Sequence, residues 1–431
     1  MFDYKKYTQI DSDISNKKEK TLICSFCSSK NMKLVMDFGK VALAGAFIKT
    51  KDFKIEKKFT LRIFFCNDCF AVQVVDIISP TILFQDYFYF SSSIKTLCDH
   101  FQSYAHEVTN RFLNPQEATV LEFGCNDGVL LRPLAEKGIK NVIGVDPAEN
   151  VLTNIDDKRI TIINDYFTEK IAQEVFEEFG KVDLIMANNV FAHIPDIKGT
   201  TRAIKNVLSD EGVFIFEVHY LGKVIEEMQY DMIYHEHLYY YSLLSAIQHF
   251  NKYDMVIFDI KLVSTHAGSL RFYIAKEGSK RALIISEAVK KLEKEERAKS
   301  YNKFISFQLF SEKVADTKKD LIILLKKLKK EGKSVAGYGA SGRANTIIQY
   351  CGITTDIVKY MIDDAPTKTG YYTPGSHLEI FPSSVLYSKN PPDYVLVFAW
   401  SFFEEIVKRN KQYIKNGGQM ILPLPELKII N

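Results

Sequence analysis

Two pairs of cysteines carry the clearest chemical signal in the sequence. Cys24 and Cys27 form one CxxC knuckle, and Cys66 and Cys69 form a second one further along the chain. Thiolates in such pairs bind Zn²⁺ in a tetrahedral site and stabilise a subdomain that is too small to hold its own fold. Because four thiolates leave no open coordination position, we predict a structural zinc rather than a catalytic metal.

The segment VLEFGCNDGVLLRPLAEKGIKNVIGVDP places an ExGxxxG turn between a predicted strand and a predicted helix. Glycines let the backbone approach a ligand at such a turn, and an acidic residue that ends the next strand can accept hydrogen bonds from both ribose hydroxyls. A dinucleotide usually needs GxGxxG, so the pattern favours S-adenosylmethionine (SAM) over NAD. The residues predicted to bind SAM are Glu122, Gly124, Asn126, Gly128, Asp146 and Asn188.

A second strand end, MANNVFAHIPD, should face the same cofactor. Ligands bind beyond the carboxyl ends of the strands in an open parallel sheet, so we expect Asn188, Asn189 and His193 at this edge. A lone histidine in a strand-end loop is found in structural and in catalytic roles. His193 is therefore a candidate catalytic residue.

Histidines, a carboxylate and a tyrosine are adjacent in the segment YHEH. One interpretation is a base cluster, in which a neutral imidazole removes a proton while the carboxylate of Glu236 fixes its tautomer or tunes its pKa. The other interpretation is a metal site that joins His219, His235 and His237. A turn in this segment would let Tyr234 and its three successors converge.

A second glycine-rich turn lies in SVAGYGASGRANT, where Gly337, Gly339 and Gly342 satisfy GxGxxG and Asp363 ends the next predicted strand. Taken alone, this is the pattern of a dinucleotide site. It could equally hold the diphosphate of a substrate at a helix N-terminus, with Arg343 pairing bidentately with a phosphate. We predict Gly339 and Arg343 as substrate-binding residues.

Composition excludes several classes of protein. The 431 residues have 56 Lys and Arg against 53 Asp and Glu, a net charge of +3, so no large global field favours nucleic acid. We expect neither a nucleic-acid partner nor a membrane span, because no apolar run is long enough. The N-terminal segment lacks the apolar core of a secretory signal, which predicts a cytoplasmic protein with reduced cysteines.

The chain divides into three predicted domains: residues 1–85 with the cysteine knuckles, residues 86–285, and residues 286–431. Strand and helix patterns alternate through the second and third domains, which predicts mostly parallel α/β sheets. A charged stretch at 280–330 has apolar residues at helical intervals and predicts one or two long helices. Trp400 follows a predicted strand, at a position that suits either a ligand contact or core packing.

The order of these motifs resembles the nucleotide-sugar C-methyltransferases of deoxysugar pathways. The matching segments are CxxC…CxxC, ExGCNDG, ANNVFAHIPD, YHEHLYYYS, THAGSLR, GYGASGR and YTPGSHLEI. The resemblance implies a small N-terminal zinc-binding domain, a central Rossmann-like SAM methyltransferase domain and a C-terminal Rossmann-like α/β domain that binds the nucleotide sugar. It also implies methylation at C3 of a dTDP-linked 4-keto sugar, with GDP- or CDP-linked sugars as other possible substrates.

The same resemblance implies roles for individual residues. His237 would be the general base, Tyr234 and Glu236 its companions, and His193 a further catalytic or substrate-contacting residue. A tyrosine of DYFYFSS, either Tyr87 or Tyr89, would lie near the sugar.

The predicted reaction is a C-methylation, in which the base removes a proton from the carbon next to a ketone and that carbon accepts the methyl group of SAM. Three other functions use the same sequence features. A sugar O-methyltransferase would need only hydroxyl deprotonation, a zinc-containing RNA methyltransferase would need a basic surface, and an NAD enzyme would use GYGASG.

Overall fold

The computed structural model describes residues 22–84 and 90–431, whose strands form three sheets. Tyr87 and Tyr89, predicted to lie near the substrate, fall outside the described residues. Within these two ranges, no helix is both long enough and apolar enough to cross a bilayer.

The first sheet carries the cysteine knuckles. Its strands are β1 (Met32–Val41), β2 (Phe59–Cys66), β3 (Val72–Val74) and, from far along the chain, β9 (Tyr239–Tyr240). They pair antiparallel in the order β1-β2-β3-β9, and helix α1 (Pro80–Phe84) follows. Alternate side chains of β2, Leu61, Ile63 and Phe65, are buried, as the apolar and aromatic sequence FTLRIFFC favours.

The second sheet has seven strands, of which only one runs against the others. In chain order they are β4 (Thr119–Phe123), β5 (Asn141–Val145), β6 (Ile160–Ile163), β7 (Val182–Asn188), β8 (Leu208–His219), β10 (Met255–Val263) and β11 (Ser269–Lys276). Across the sheet the order is β6-β5-β4-β7-β8-β11-β10, with β11 antiparallel. Strands β5 and β6 are added on one side of β4, and β7 and β8 on the other. This change of side opens a crevice at the carboxyl ends of β4 and β7.

Helices cover both faces of this sheet. They are α2 (Lys95–Phe112), α3 (Leu131–Glu136), α4 (Glu149–Leu152), α5 (Glu169–Phe179), α6 (Ile197–Val207), α8 (Leu243–Phe250) and α9 (Glu287–Ala298). Helix α7 (Leu221–Glu226) instead packs with residues of the first sheet and the C-terminal region. Side-chain caps from Thr168, Asp196 and Ser242 satisfy backbone N–H groups at the starts of α5, α6 and α8.

Helix α9 packs against the second sheet. Its buried Glu296 accepts hydrogen bonds from the backbone N–H groups of Leu243 (2.8 Å) and Leu244 (2.9 Å) at the start of α8. The predicted domain boundary at 285/286 stays a prediction; in the structure, residues on both sides of it contact the central sheet.

The third sheet belongs to the C-terminal region. Long helix α10 (Phe304–Lys330) leads into β12 (Val335–Tyr338), α11 (Gly342–Cys351), β13 (Met361–Ile362), β14 (Ile380–Phe381), β15 (Tyr394–Val397), α12 (Phe403–Arg409), α13 (Lys411–Lys415), β16 (Gln419–Leu422) and β17 (Lys428–Ile430). The strands lie in the order β14-β13-β12-β15-β16-β17, parallel except for β17. The predicted α/β fold class, with two Rossmann-like sheets, is confirmed.

The N-terminal region also contacts the C-terminal one. Ile48 forms an antiparallel bridge with Tyr372, and His377 donates a hydrogen bond from Nε2 to the carboxylate of Glu56 (2.8 Å). Phe53 stacks on the His377 ring at 3.8 Å. The segment YTPGSHLEI, singled out in the sequence, therefore docks the third domain on the first.

Candidate active site

The four knuckle cysteines meet at one point. Their sulfur atoms all lie within 4.8 Å of one another, with Cys24 and Cys69 3.5 Å apart and Cys27 and Cys66 3.6 Å apart. Among the described residues, this is the only cluster of at least three His, Cys, Asp or Glu side chains that could hold a metal ion. The set of four thiols fits the tetrahedral zinc predicted from the sequence.

The zinc site supports the central domain directly. Gln73 of β3 donates a hydrogen bond from Nε2 to the Cys24 sulfur (3.1 Å). In the antiparallel pairing of β3 with β9, Gln73 lies opposite Tyr239. Phe26, inside the first knuckle, packs on the rings of Tyr239 (5.1 Å) and His249 (4.7 Å). Because β9 begins one residue after YHEH, these contacts connect the metal site to the candidate catalytic segment.

The ExGxxxG turn has the backbone that its glycines predict. Gly124 has φ +68°, and a Cβ there would lie 2.1 Å from a methyl of Val190, so only glycine fits. Gly128 also has positive φ (+75°) and lies against Ile155. The Asn126 N–H donates to one Asp146 carboxylate oxygen (2.9 Å), which joins the turn to the end of β5.

The predicted cofactor residues lie together at the carboxyl ends of β4, β5 and β7. Asn188 donates from Nδ2 to Oε1 of Glu122 (2.9 Å), and the second oxygen of Asp146 accepts from the Ala148 N–H (2.9 Å). Within the described ranges, Oε2 of Glu122 and Oδ1 of Asn188 are buried without a hydrogen-bond partner. These two oxygen atoms can therefore accept hydrogen bonds from a ligand at this edge of the sheet.

The charge of this edge indicates which ligand fits. Burial, with the nearby carboxylates of Asp146 and Asp127 adding to it, raises the pKa of Glu122 to about 8. Burial likewise raises the pKa of Asp146. The hydrogen bonds given above come to these carboxylates from neutral amides, so a cationic ligand would relieve their repulsion. SAM, with its sulfonium and ammonium groups, fits this edge better than the anionic diphosphate of NAD does.

The segment just before α2 covers the turn. The Ser91 N–H donates to the side-chain oxygen of Asn126 (3.1 Å), and Ser92 donates from its hydroxyl and its N–H to the carboxylate of Asp127. The SSS segment, next to the predicted substrate tyrosines, is thus attached to the cofactor turn.

The turn at 234–237 positions one imidazole. The His237 N–H donates to the Tyr234 carbonyl (3.0 Å), and the His237 ring nitrogen Nδ1 lies 2.7 Å from the Met232 carbonyl oxygen. A carbonyl can only accept, so Nδ1 carries the proton and Nε2 carries the lone pair of a base. The Met232 carbonyl therefore sets this tautomer, and tuning of the His237 pKa by the Glu236 carboxylate stays a prediction.

Two predicted companions lie beside this ring. The Tyr234 ring is 4.1 Å from the His237 ring, and the His193 ring is 5.0 Å from it at 77°. Burial lowers the pKa of His193 to about 4, so this imidazole is neutral at pH 7. The strand-end loop after β7 and the YHEH turn therefore meet at one place.

His235 points away from this group. Its Nε2 lies 3.1 Å from the carbonyl oxygen of Thr60 in β2, and burial lowers its pKa to about 4. Among the described residues, the ligand atoms of His219, His235 and His237 do not come within 4.8 Å of one another, so the alternative metal site is wrong.

Glu236 lies where three domains meet. Burial raises the pKa of its carboxyl to about 7, so a large fraction is protonated at neutral pH. A Cβ on Gly45, in the segment LAGAF of the first domain, would come within 3.3 Å of Oε1 of Glu236. The adjacent Ala44 carbonyl accepts a hydrogen bond from Asn345 of α11 (2.5 Å).

The second glycine-rich turn is packed differently. A Cβ on Gly339 would lie 2.6 Å from Ala399, in the loop after β15. Asp363 accepts from the Ala340 N–H (2.8 Å) and from the ammonium of Lys368 (3.1 Å). The Arg343 guanidinium, predicted to bind a phosphate, lies against the carboxylate of Asp231; its contact with substrate stays a prediction.

Family models match three consecutive parts of the chain. Residues 24–84 match a "Putative zinc binding domain", residues 99–257 a "Methyltransferase domain", and residues 264–425 a "C-methyltransferase C-terminal domain". C-methyltransferase NovU of Streptomyces niveus is 29% identical over 409 residues, 95% of this chain and 96% of that one. The chain is a SAM-dependent C-methyltransferase.

Two further similarities cover only part of the C-methyltransferase. Ubiquinone biosynthesis O-methyltransferase of Hydrogenovibrio crunogenus is 31% identical over 108 residues, 23% of this chain and 43% of that protein. The crystal structure of magnesium protoporphyrin IX methyltransferase (ChlM) from Synechocystis PCC 6803 with bound SAH is 16% identical, with a TM-score of 0.32. That similarity covers 42% of this chain and 82% of ChlM. SAM and zinc, predicted as cofactors, are confirmed by the matched methyltransferase and zinc-binding models and by the four-cysteine cluster.

Sequence reasoning missed three residues of the C-methyltransferase site. Met232 acts through a backbone carbonyl, which no side-chain pattern reveals. Gly45 gave a weak signal, as the one residue without a side chain in LAGAF. Asp231 is adjacent to the catalytic segment, and its complete burial was the unseen feature.

Proposed function

We propose that this C-methyltransferase methylates the carbon next to the ketone of a nucleotide-diphosphate-linked 4-keto deoxysugar, at C3. The observation that carries the proposal is the His237 imidazole, whose Nδ1 proton is held by the Met232 carbonyl. Its Nε2 is thereby the basic nitrogen, in a turn that also carries Tyr234 and Glu236.

The proposed reaction starts with proton transfer. Nε2 of His237 takes the proton from C3, and the electron pair of the C–H bond moves into an enolate whose negative charge lies on the ketone oxygen. When bound, SAM supplies an electrophilic methyl group, to which C3 forms its new bond as the bond from sulfur breaks. The imidazolium formed at His237 stays hydrogen-bonded to the Met232 carbonyl.

Neighbouring groups can stabilise the enolate oxygen by donating hydrogen bonds. The raised pKa of Glu236, about 7, keeps much of this carboxyl protonated, and a protonated carboxyl is a donor to an oxyanion. The Tyr234 hydroxyl and the neutral imidazole of His193 are donors of the same kind. We assign these three residues to stabilising the enolate oxygen, and His237 to removing the proton from carbon.

We place the nucleotide at the carboxyl ends of β12 and β15 in the third sheet, near Gly339. An open cleft of about 500 Å³ at the carboxyl ends of β15 and β16 is lined in part by Trp400, Phe402 and Leu424, and the Phe402 side chain is 62% exposed. An exposed aromatic ring favours stacking with a base. A dTDP-linked sugar is the favoured substrate, GDP- and CDP-linked sugars are alternatives, and a sugar contact by Tyr87 or Tyr89 and a cytoplasmic location stay predictions.

The decisive experiment is mass spectrometry of the products from SAM and a panel of dTDP-, GDP- and CDP-linked 4-keto sugars. We expect one added methyl on carbon, accompanied by loss of deuterium placed at C3. Retention of that deuterium together with methylation would reject carbon as the acceptor.

A variant at the base tests the assignment of His237. Replacing His237→Ala should lower turnover by about 10²- to 10⁴-fold while SAM binding, measured by calorimetry, stays within about twofold. The control is His106→Ala, which changes an exposed histidine of α2 and should leave turnover unchanged. Wild-type turnover in His237→Ala would contradict the proposal.

A further inference from the structure

A buried carboxylate adjoins the catalytic turn. Asp231 lies in a short 3₁₀ turn, Tyr230–Met232, and none of its surface is exposed. An unpaired charge at such a depth would be very unfavourable, so its partners must be strong ones.

Those partners come from the C-terminal domain. Arg343, at the start of α11, donates from Nε to Oδ2 of Asp231 (2.8 Å) and from Nη2 to Oδ1 (3.2 Å). The Trp400 indole N–H donates to the same Oδ2 (2.8 Å), and the guanidinium lies 5.0 Å from the centre of the Trp400 ring. The two loops at the carboxyl ends of β12 and β15 thus converge on one carboxylate.

Further contacts fix residues 230–233 on α11. The Thr346 hydroxyl donates to the Ile233 carbonyl (3.3 Å), and the Tyr230 hydroxyl lies 3.9 Å from the Cys351 sulfur. Between Asp231 and Ile233 lies Met232, whose carbonyl holds the Nδ1 proton of His237. A bidentate pair on one side and a hydroxyl on the other therefore fix the direction of this carbonyl.

We propose that Asp231 and Arg343 are positioning residues: the C-terminal domain orients the base His237 through the Arg343–Asp231 pair and the Met232 carbonyl. This inference rests on the proposed function in one respect, the role of His237 as the base. It gives Arg343 a task other than binding a phosphate, because two of its nitrogens already bind Asp231. A small shift of the carbonyl would turn the imidazole and misalign Nε2 with the carbon acid.

The first test needs no substrate. Protein labelled with ¹⁵N-histidine has nine histidines, and the His237 signals are those lost in His237→Gln. We expect the Nδ1–H tautomer in the wild type, and a mixture of both tautomers in Asp231→Asn and Arg343→Gln. The control Arg409→Gln, which removes an exposed pair with Asp364 in the same domain, should keep the wild-type spectrum.

The second test separates turnover from binding. Asp231→Asn and Arg343→Gln should lower kcat by about 10- to 100-fold and change the KM for the sugar nucleotide by less than about threefold. Arg343→Lys retains the charge without the planar fork and should recover only part of kcat. Trp400→Phe removes one hydrogen bond and should have the smallest effect.

Two outcomes would overturn the proposal. One is an unchanged His237 tautomer in both Asp231→Asn and Arg343→Gln when circular dichroism shows folded protein. The other is a rise in KM with normal kcat in Arg343→Gln, which would show a substrate contact instead. Because Arg343 is partly exposed, its variants should fold even if those of Asp231 do not. If no sugar nucleotide is methylated, the proposed substrate fails while the tautomer still decides this inference.

Discussion

The two Rossmann-like sheets of this protein use one local device in two different ways. In each, an aspartate that ends the second strand accepts a backbone N–H from the glycine-rich loop after the first strand. In the central sheet Asp146 accepts from Asn126 (2.9 Å), and in the C-terminal sheet Asp363 accepts from Ala340 (2.8 Å). The other oxygen of each accepts from the residue two positions later, Ala148 or Ala365.

The difference lies in the charges around each aspartate. Asp146 lies near Glu122, whose pKa the carboxylates of Asp146 and Asp127 help to raise, and burial raises the pKa of Asp146 itself. Asp363 instead has the Lys368 ammonium 3.1 Å away, and that ammonium also donates to the Ala340 carbonyl. A cationic cofactor completes the central site, whereas a lysine of the chain has already taken the equivalent place in the C-terminal sheet. Similar loops thus need not bind similar ligands.

The largest test of this comparison is a pair of glycine variants. Gly124→Ala would place a Cβ 2.1 Å from Val190 at φ +68°, which should displace the turn and weaken SAM binding by at least about 100-fold. Gly339→Ala has similar strain, at φ +91° and 2.6 Å from Ala399, but should leave SAM affinity within about twofold. Calorimetry on both folded variants measures the contrast, and equal losses would refute it.

The two aspartates give a smaller contrast. Asp146→Asn should weaken SAM binding by about tenfold or more, because the amide is a poorer acceptor for the turn and for a ribose. Asp363→Asn should leave SAM affinity unchanged but lower the free energy of unfolding by about 1–3 kcal/mol, since it weakens bonds to Ala340, Ala365 and Lys368. Urea unfolding and calorimetry distinguish these results, and a loss of SAM binding in Asp363→Asn would break the comparison.

The acidic edge predicts a pH dependence of SAM binding. Because the folded-state pKa of Glu122 is raised to about 8, its stabilising contribution is complete below pH 4.5 and is lost as pH rises through 8. A cationic ligand favours the ionised form, so SAM affinity should rise between pH 6 and 8, by at most about tenfold per unit.

The variant Glu122→Gln tests this assignment. It should flatten the pH dependence of SAM affinity and stabilise the ligand-free protein at pH 8. Glu296, whose pKa burial raises to about 7, lies away from this edge, so Glu296→Gln should keep the pH dependence of SAM affinity. An unchanged profile in Glu122→Gln would show that another group titrates.

The sequence predicted the parts of the site that depend on local spacing. The cysteine knuckles, the ExGxxxG turn and the aspartate ending the next strand all lie within short segments, and the structure brings each group together. The YHEH turn was predicted as a cluster, but its internal geometry was not. Extended or turned backbone cannot be read from four polar residues, so the different directions of His235 and His237 emerged only from the structure.

Contacts between distant segments were beyond sequence reasoning. Arg343 and Asp231 are 112 residues apart, and β9 joins a sheet whose other strands end at Val74. Such pairings depend on tertiary packing, which periodicity and composition do not encode. Lys368, five residues after Asp363, was closer to hand: a cation that near to the acidic residue already argues against a ribose there.

The smallest expected effect concerns NAD. In the C-terminal sheet the Lys368 ammonium already pairs with the Asp363 carboxylate, and the Gly339 turn lies against Ala399. A dinucleotide therefore finds neither a free acceptor for its ribose nor room beside the turn. NAD at millimolar concentration should therefore change the melting temperature by less than about 1 °C, whereas SAM at 100 times its Kd adds about 2.7 kcal/mol of stability. Differential scanning fluorimetry measures both in one experiment. A rise in melting temperature with NAD that disappears in Gly339→Ala would show that the Gly339 loop binds a dinucleotide. It would also show that the ribose displaces Lys368 from Asp363.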